Sequence, residues 1–451
     1  MHKENLLQFF LLCYGLMSFS TQTDDDTSNL IDKIERSTDT VTYYFNKELK
    51  KGGYVCKDSY TVSYYHSVNL LELNESLIAV PFITAFAPIV WLSNKDFTIN
   101  EMDEDLYLSL IKIKKVFKFF WPYKSWEGNI VPSKLVKNKV LIKNEFSTDR
   151  ALMFSHGLDA VSSAFLHYNE QPLLITMIRE RSQPREVYSK EININFSKTY
   201  GYSIRFFKTN FDRIFDYKKI NTEFGDALNF SLVLSGASFP ITYQLGFDKL
   251  LIASSFTKKR PFPWGSHPLI DNAICIGGIK TIHDNPESNR MEKIEKVVDF
   301  CNENELPIPY LHVCHSTLGN CNKCEKCLRT MNNILAVDMD PRRFGFRLGP
   351  KEAISRTRKS LRGDLSNRTH RFAKCFWEDI KDWVQENMDK RAYKALDEEY
   401  FKWIASLPLP SDYTYLPGKY DSYYLPLKNL FITLWDQSNS GLVDYEKFPF
   451  L

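Results

Sequence analysis

Four of the nine cysteines lie within the fourteen residues Cys314 to Cys327, in the run CHSTLGNCNKCEKC, and no other stretch limits the fold so strongly. Cys321, Cys324 and Cys327 recur at every third position, with Cys314 upstream. A tight Cys-x2-Cys-x2-Cys turn with one further thiol can place four sulfurs at the corners of a tetrahedron, the geometry that structural Zn2+ prefers. Four thiolates leave no open coordination position, so such a metal holds structure and does no chemistry. An iron–sulfur cluster is an alternative for the same ligands. Two disulfides fit worse, because cysteines three apart on a short turn are poorly placed to bridge each other. The remaining thiols, Cys13, Cys56, Cys275, Cys301 and Cys375, are scattered. An odd total beside a metal-type cluster fits a reducing compartment better than a disulfide scaffold. Cys275, in the apolar run AICIGG, reads as a buried, inert thiol.

A chain of 451 residues should form two or three compact units. The 33 Phe and 24 Tyr predict aromatic-rich cores, and a net charge of +3 gives no case for a general nucleic-acid binder. The apolar run Leu6 to Phe19 is too short to span a membrane. The flank before it is only weakly basic, Lys3 being followed by Glu4, so a buried or partner-facing helix is expected over a secretory signal. The protein is expected to be cytoplasmic, with no membrane partner.

Three regions follow from patterning. Residues 1–145 read as an N-terminal α+β domain. In it TVSYYHSV and DFTIN are strands, SLIAVPFITAFAPIVW is a buried helix, and Glu104 to Phe120 is an amphipathic helix. Residues 146–345 alternate strand and helix: RALMFS, PLLITMI, GYSIRFFKTNF and DKLLIASSF are strands, and AVSSAFLHYNE and ALNFSLVLSGASFPITYQLGF are helices. Such alternation predicts an α/β fold with a parallel sheet covered by helices on both faces. Residues 346–451 read as a helical extension. Its basic start, Lys351 to Arg371, is a solvated surface helix or, as the alternative, a nucleic-acid contact.

Ligands of a parallel α/β sheet bind beyond the carboxyl ends of the strands. Ser155-His156-Gly157-Leu158-Asp159 falls there, between a strand and a helix. Backbone N–H groups of such a turn, with the helix dipole, suit a pyrophosphate. Asp159 beside phosphate calls for an intervening Mg2+. A second polar concentration, His267, Asp271, His283, Asp284, Arg290 and Lys293, follows the DKLLIASSF strand. Each of these also has a plain reading as a cap or surface residue.

The Ser-x-Gly-x-Asp turn, within this strand–helix series and upstream of the cysteine knuckle, resembles the PP-loop ATP pyrophosphatase superfamily, whose loop reads Ser-Gly-Gly-x-Asp-Ser. It looks most like the 7-cyano-7-deazaguanine synthase (QueC-like) branch, including extended members encoded in bacterial antiphage defence operons. The likeness covers about residues 145–335. It implies a PP-loop sheet with ATP, Mg2+ and Zn2+ as cofactors. It places Ser155, His156, Gly157, Asp159, Ser163 and His267 at the nucleotide, Asp159, Arg290 and Lys293 in catalysis, and Cys314, Cys321, Cys324 and Cys327 on zinc. His156 stands where the family has its first loop glycine, and Ala160 where it has the final serine. Ser163, one turn on, is the candidate to replace that hydroxyl. Ser288 to Lys293 looks like a variant of the family's phosphate-contacting Thr-Lys-x-Glu motif.

The activity implied is ATP-dependent adenylation of a carboxylate, with a 7-deazaguanine as the small-molecule partner. Transfer to ammonia follows, or to an amine on a partner protein. The alternatives are a degenerate nucleotide-binding scaffold subunit and a tRNA- or DNA-base-modifying enzyme.

Overall fold

A computed structural model of the chain describes residues 28–65, 67–139, 146–180, 182–224, 228–314, 318–361, 371–389, 393–407, 430, 432–441 and 443–445. The apolar run Leu6 to Phe19 and residues 362–370 of the basic stretch lie outside the described residues.

The strands are β1 (Ser28–Asn29), β2 (Ile31–Arg36), β3 (Thr40–Phe45), β4 (Ser59–Ser63), β5 (Phe97–Asp103), β6 (Ile130–Val136), β7 (Arg150–Met153), β8 (Leu173–Arg179), β9 (Ile204–Thr209), β10 (Lys249–Ala253), β11 (Cys275–Ile276) and β12 (Ile279–Asp284). The helices used below are α1 (Val80–Ser93), α2 (Glu104–Phe120), α3 (Leu158–Leu166), α4 (Gln183–Tyr200), α5 (Phe230–Gln244), α6 (Pro268–Asp271), α7 (Arg290–Glu303), α8 (Glu325–Ala336), α9 (Pro350–Leu361), α10 (Arg371–Asn387) and α11 (Tyr393–Ala405).

One mixed sheet organises the chain, in the order β11-β12-β10-β7-β8-β9-β4-β3-β2. Strands β12, β10, β7, β8 and β9 are mutually parallel. Numbered along the chain from β7, these five lie in the order 3-2-1-4-5, the doubly wound arrangement with its switch point between the first and fourth strands. β7 and β10 are those two neighbours, so a crevice is expected beyond Met153 and Ala253. The fold is thus α/β, as the alternation from Arg150 onward implies. The fifth parallel strand, β12, has the sequence IKTIHD, whose polar residues conceal it from patterning. That polarity has a structural cause: Ile279, Thr281 and His283 are buried on one face, while Asp284 serves the other.

Residues 31–63, expected in a separate N-terminal unit, add three antiparallel strands to the same sheet through β4 on β9. Among the described residues, only β1, β5 and β6 form a separate, all-parallel sheet. One aromatic-rich core covers one face of the large sheet. It joins α1, α2 and α5 to the N-terminal strands across residue 145. α2 begins on the Asp103 side chain, which accepts from Leu106 N at 2.9 Å, and buries Leu106, Leu110, Ile113 and Phe117 at helical spacing. α1 and α5 touch where Gly236 faces Thr84; a Cβ on Gly236 would sit 1.8 Å from Thr84 Oγ1. The opposite face carries α3, α4, α7 and α8, and the C-terminal helices α10 and α11 pack on that layer.

Candidate functional site

The chain leaves β7 through Phe154, whose N–H donates to Ile175 O (2.8 Å) and whose carbonyl accepts from Thr176 Oγ1 (2.9 Å). This fixes the loop start to β8. His156 then adopts φ +61°, the left-handed region that favours glycine. Its ring does not enter the crevice. It is 2% exposed and packs edge-on against Phe154, Phe196 and Tyr310. Burial pushes the ring pKa down to about 4. His156 therefore has a glycine-like backbone and serves as a neutral core side chain.

Gly157 opens α3 at φ −83°, and no side chain caps this helix. A Cβ there would meet nothing closer than Ser155 Oγ at 3.5 Å, so the fold itself does not demand glycine. What the missing side chain provides is open space before the first amides of α3, donors that have no intrahelical acceptor.

Asp159 lies in the first turn of α3. Its Oδ2 accepts from Arg290 Nη2 (2.8 Å) and from Ser255 Oγ (3.1 Å), and Lys293 Nζ stands 3.6 Å from Oδ1. Burial alone would raise this carboxyl. The charges of Arg290 and Lys293 outweigh burial and hold its pKa at about 2. Lys293 is fully buried and donates to Ser254 O (2.6 Å) and Ser254 Oγ (3.1 Å). Burial pushes its ammonium below the ordinary lysine value against the pull of Asp159. The helix bearing both cations starts with a capping box, Asn289 bonding Met291 N and Glu292 N while the Glu292 side chain returns to Asn289 N. Successive helical turns from that cap bring positions 290 and 293 to one face.

The C-terminal extension covers this cluster. The Phe376 ring on α10 lies 4.0 Å from the Arg290 guanidinium carbon and 4.2 Å from that of Arg329 on α8. Arg260, just past β10, holds α10 in place through Glu378 (2.9 Å), Asp379 (2.5 Å) and Asp382 (2.7 Å). Burial pushes Asp379 up to about 7. Asp159 and Arg290 keep only 17% and 16% side-chain exposure.

Of the residues singled out from sequence, the fold gathers Ser155, Gly157, Asp159, Arg290 and Lys293 at the switch point. Ser163 is buried in α3 with no hydrogen-bond partner for Oγ. His267 goes elsewhere. It caps α6, accepting from Leu269 N (3.2 Å), and packs against Phe120 and Trp435 in the core on the sheet face opposite α3. Beside it His283 pairs with Asp271 (2.7 Å) and Ser266 donates to Asp271 (2.8 Å). These are supporting contacts of the α6 turn. Asp284 bonds His167 at the far end of α3 (2.8 Å). Cys275 is in β11, and burial pushes its thiol up to about 11, consistent with an inert role.

Sequence reasoning missed Ser254, Ser255, Arg329 and Phe376. The two serines carried a usable signal, since they directly follow the strand next to β7 in the sheet. Arg329 and Phe376 carried none.

The candidate metal centre is a separate unit joined to the loop. The four Sγ atoms of Cys314, Cys321, Cys324 and Cys327 lie within 4.8 Å of one another, with Cys321–Cys327 at 3.8 Å and Cys314–Cys324 at 4.0 Å. Tetrahedral Zn2+ with Zn–S near 2.3 Å needs sulfurs about 3.8 Å apart. The donor set therefore fits zinc, which would cross-link the knuckle without a vacant coordination position. Cys324 N–H donates to Cys321 Sγ (3.3 Å), the kind of support that metal thiolates receive. Asn322 takes φ +58° within the knuckle, and its side chain bonds Asn320 O and Arg347 N. The strap leading into Cys314 touches the loop directly: His312 N–H donates to His156 O (2.9 Å), and Tyr310 packs on the His156 ring. On the other side Cys324 begins α8, whose second turn carries Arg329.

No helix among the described residues is long and apolar enough to cross a membrane. Comparison of the chain with protein families, with curated proteins and with solved structures finds no match.

Proposed function

We propose that the chain is a zinc-stabilised, ATP-dependent enzyme that activates a carboxylate as its adenylate, on a sheet of the PP-loop type. The observation that carries this reading is the uncapped start of α3 at the switch point. There a glycine leaves open space, and Arg290 and Lys293 stand beside it. Oriented amides and fixed cations in a largely dry site stabilise charge that develops on a departing pyrophosphate. By resemblance the substrate is a 7-deazaguanine carboxylate and the acceptor ammonia or a partner's amine, with a role in antiphage defence.

The reaction needs no nucleophile from the chain, in keeping with the inert surroundings of Cys275. A carboxylate oxygen of the substrate bonds to the α-phosphorus of ATP. The bond from that phosphorus to the bridging oxygen breaks, and the electron pair leaves with pyrophosphate. The amine nitrogen then attacks the acyl carbon, loses a proton, and AMP departs. The loop amides and Ser155 orient the phosphates, and Arg290 and Lys293 offset the growing charge. Mg2+, when bound, would screen phosphate charge. Asp159, whose Oδ1 makes no hydrogen bond, is the carboxylate that would hold it.

The pairing of Asp159 with Arg290 favours a second reading, a nucleotide-binding scaffold that turns nothing over. The Asp159–Arg290 bond and the missing hydroxyl at Ala160 both suit a resting, ligand-holding site. The two readings separate in one assay. Zinc-loaded protein is mixed with ATP, Mg2+, labelled pyrophosphate and 7-carboxy-7-deazaguanine. Label should enter ATP only when the carboxylate is present, because adenylation is reversible before any amine is added. Binding of ATP without carboxylate-dependent exchange, across a panel of carboxylates, would establish the scaffold instead.

A further inference from the structure

Arg329 has no role in the reading above, yet its environment is that of a ligand-binding guanidinium. It is 1% exposed, in the second turn of α8. Its Nε approaches Glu325 Oε1 at 3.4 Å, and neither Nε nor Nη1 makes a hydrogen bond. Glu325 itself is engaged by Trp377 Nε1 (3.1 Å). The Arg329 guanidinium carbon lies 4.2 Å from the Phe376 ring centroid, against 4.0 Å for that of Arg290, whose Nε is also without a hydrogen bond. Arg290, Lys293 and Arg329 crowd round Asp159 and Glu325 in a buried site, and among the described residues Glu325 is the one carboxylate within ion-pair distance of Arg329. A guanidinium stripped of water and short of acceptors is costly unless an anion completes it. Its planar fork suits the paired oxygens of a phosphoryl group or a carboxylate.

We infer that Arg329, with Arg290, forms an oxyanion-binding subsite against Phe376, distinct from the amides at the start of α3. On the adenylation reading, on which this inference rests, that oxyanion is either a phosphoryl group of the nucleotide or the carboxylate of the acyl substrate. The zinc knuckle then contributes to binding as well as to folding, because α8 starts at Cys324 and the knuckle so sets the position of Arg329.

Calorimetry on the full-length, zinc-loaded chain tests this with inorganic pyrophosphate, AMP and 7-carboxy-7-deazaguanine as separate probes. Arg329→Gln should weaken at least one probe tenfold or more, and Arg329→Lys should restore part of the loss. A loss confined to pyrophosphate or AMP assigns a phosphoryl group, and one confined to the deazaguanine assigns the carboxylate. Glu325→Gln removes the opposing charge but keeps an acceptor for Trp377, so it should tighten the same probe several-fold. That opposite sign decides the matter even if Arg329→Gln does not fold. Unchanged binding in folded Arg329→Gln, or weaker binding in Glu325→Gln, overturns the subsite while the pyrophosphate-exchange result still stands by itself. A wild-type chain that binds none of the three contradicts both the subsite and the adenylation reading.

Discussion

Purified protein should carry one tightly held Zn2+ per chain, and stripping it should collapse much more than the knuckle. Structural zinc in small modules contributes on the order of 10 kcal/mol of folding free energy. Here the four thiols join two segments with separate attachments. The strap before Cys314 is hydrogen-bonded to the loop at His156 and packs Tyr310 on its ring. The helix after Cys324 carries Leu328, Met331, Ile334 and Leu335 into the core shared with α3 and α7. Without the metal, a cluster of partly buried thiols remains where cross-links stood. Cys324→Ala and Cys327→Ala should therefore give insoluble chain, or chain whose thermal midpoint falls by more than about 10 °C. A strong chelator should reproduce that fall, and added Zn2+ should reverse it. Metal analysis and thermal denaturation check this directly. Metal-free protein that unfolds at the wild-type temperature would show that the sulfurs are near one another for another reason.

The second large effect is expected at Asp159. Its side chain is the only carboxylate within ion-pair distance of Arg290 and Lys293 among the described residues. Removing one partner of a buried charge cluster leaves the others uncompensated and typically costs about 3–5 kcal/mol. Asp159→Ala should lose stability in that range and should lose carboxylate-dependent exchange altogether. Asp159→Asn keeps the shape and an acceptor for Ser255, so it should lose less stability but just as much exchange if the negative charge is what the reaction uses.

The pH dependence has a definite sign. The Asp159 pKa is about 2 in the folded chain, below its ordinary 3.8, so its contribution is complete above about pH 4 and fades as pH falls towards 2. His156 is held at about 4, below its ordinary 6.5. The unfolded chain therefore takes up that proton first, and stability declines as pH drops from about 6.5 to about 4. Chemical denaturation of wild type and Asp159→Ala between about pH 7 and pH 3 should show the wild-type advantage shrinking at the acid end. An advantage that grows with acidity would contradict the ion-pair account.

Much of the fold was legible because the chain obeys local rules. Helix α2 was readable to its ends from the Leu–Ile–Phe spacing between Glu104 and Phe120. The parallel strands of the large sheet were readable as short apolar runs, apart from β12, whose buried histidine and threonine break the expected pattern. The joining of β2, β3 and β4 onto β9 was not legible, because pairing between strands so far apart along the chain leaves no local trace. At the site, cysteine spacing pointed to the knuckle, and the Ser-x-Gly-x-Asp turn pointed to the switch point. His267 misled because polar residues near a strand end look alike whether they line a crevice or cap a turn. Arg329 and Phe376 were hidden because they meet Arg290 only when α8 and α10 converge on α7.

The most direct test of the central claim is a crystal structure of the zinc-loaded chain with Mg2+ and a non-hydrolysable ATP analogue. The account predicts phosphate oxygens on the backbone amides of residues 156–159, Arg290 turned from Asp159 towards them, and the His156 ring still packed between Phe154 and Phe196. An analogue seated away from the start of α3, with the Asp159–Arg290 bond intact, would contradict it.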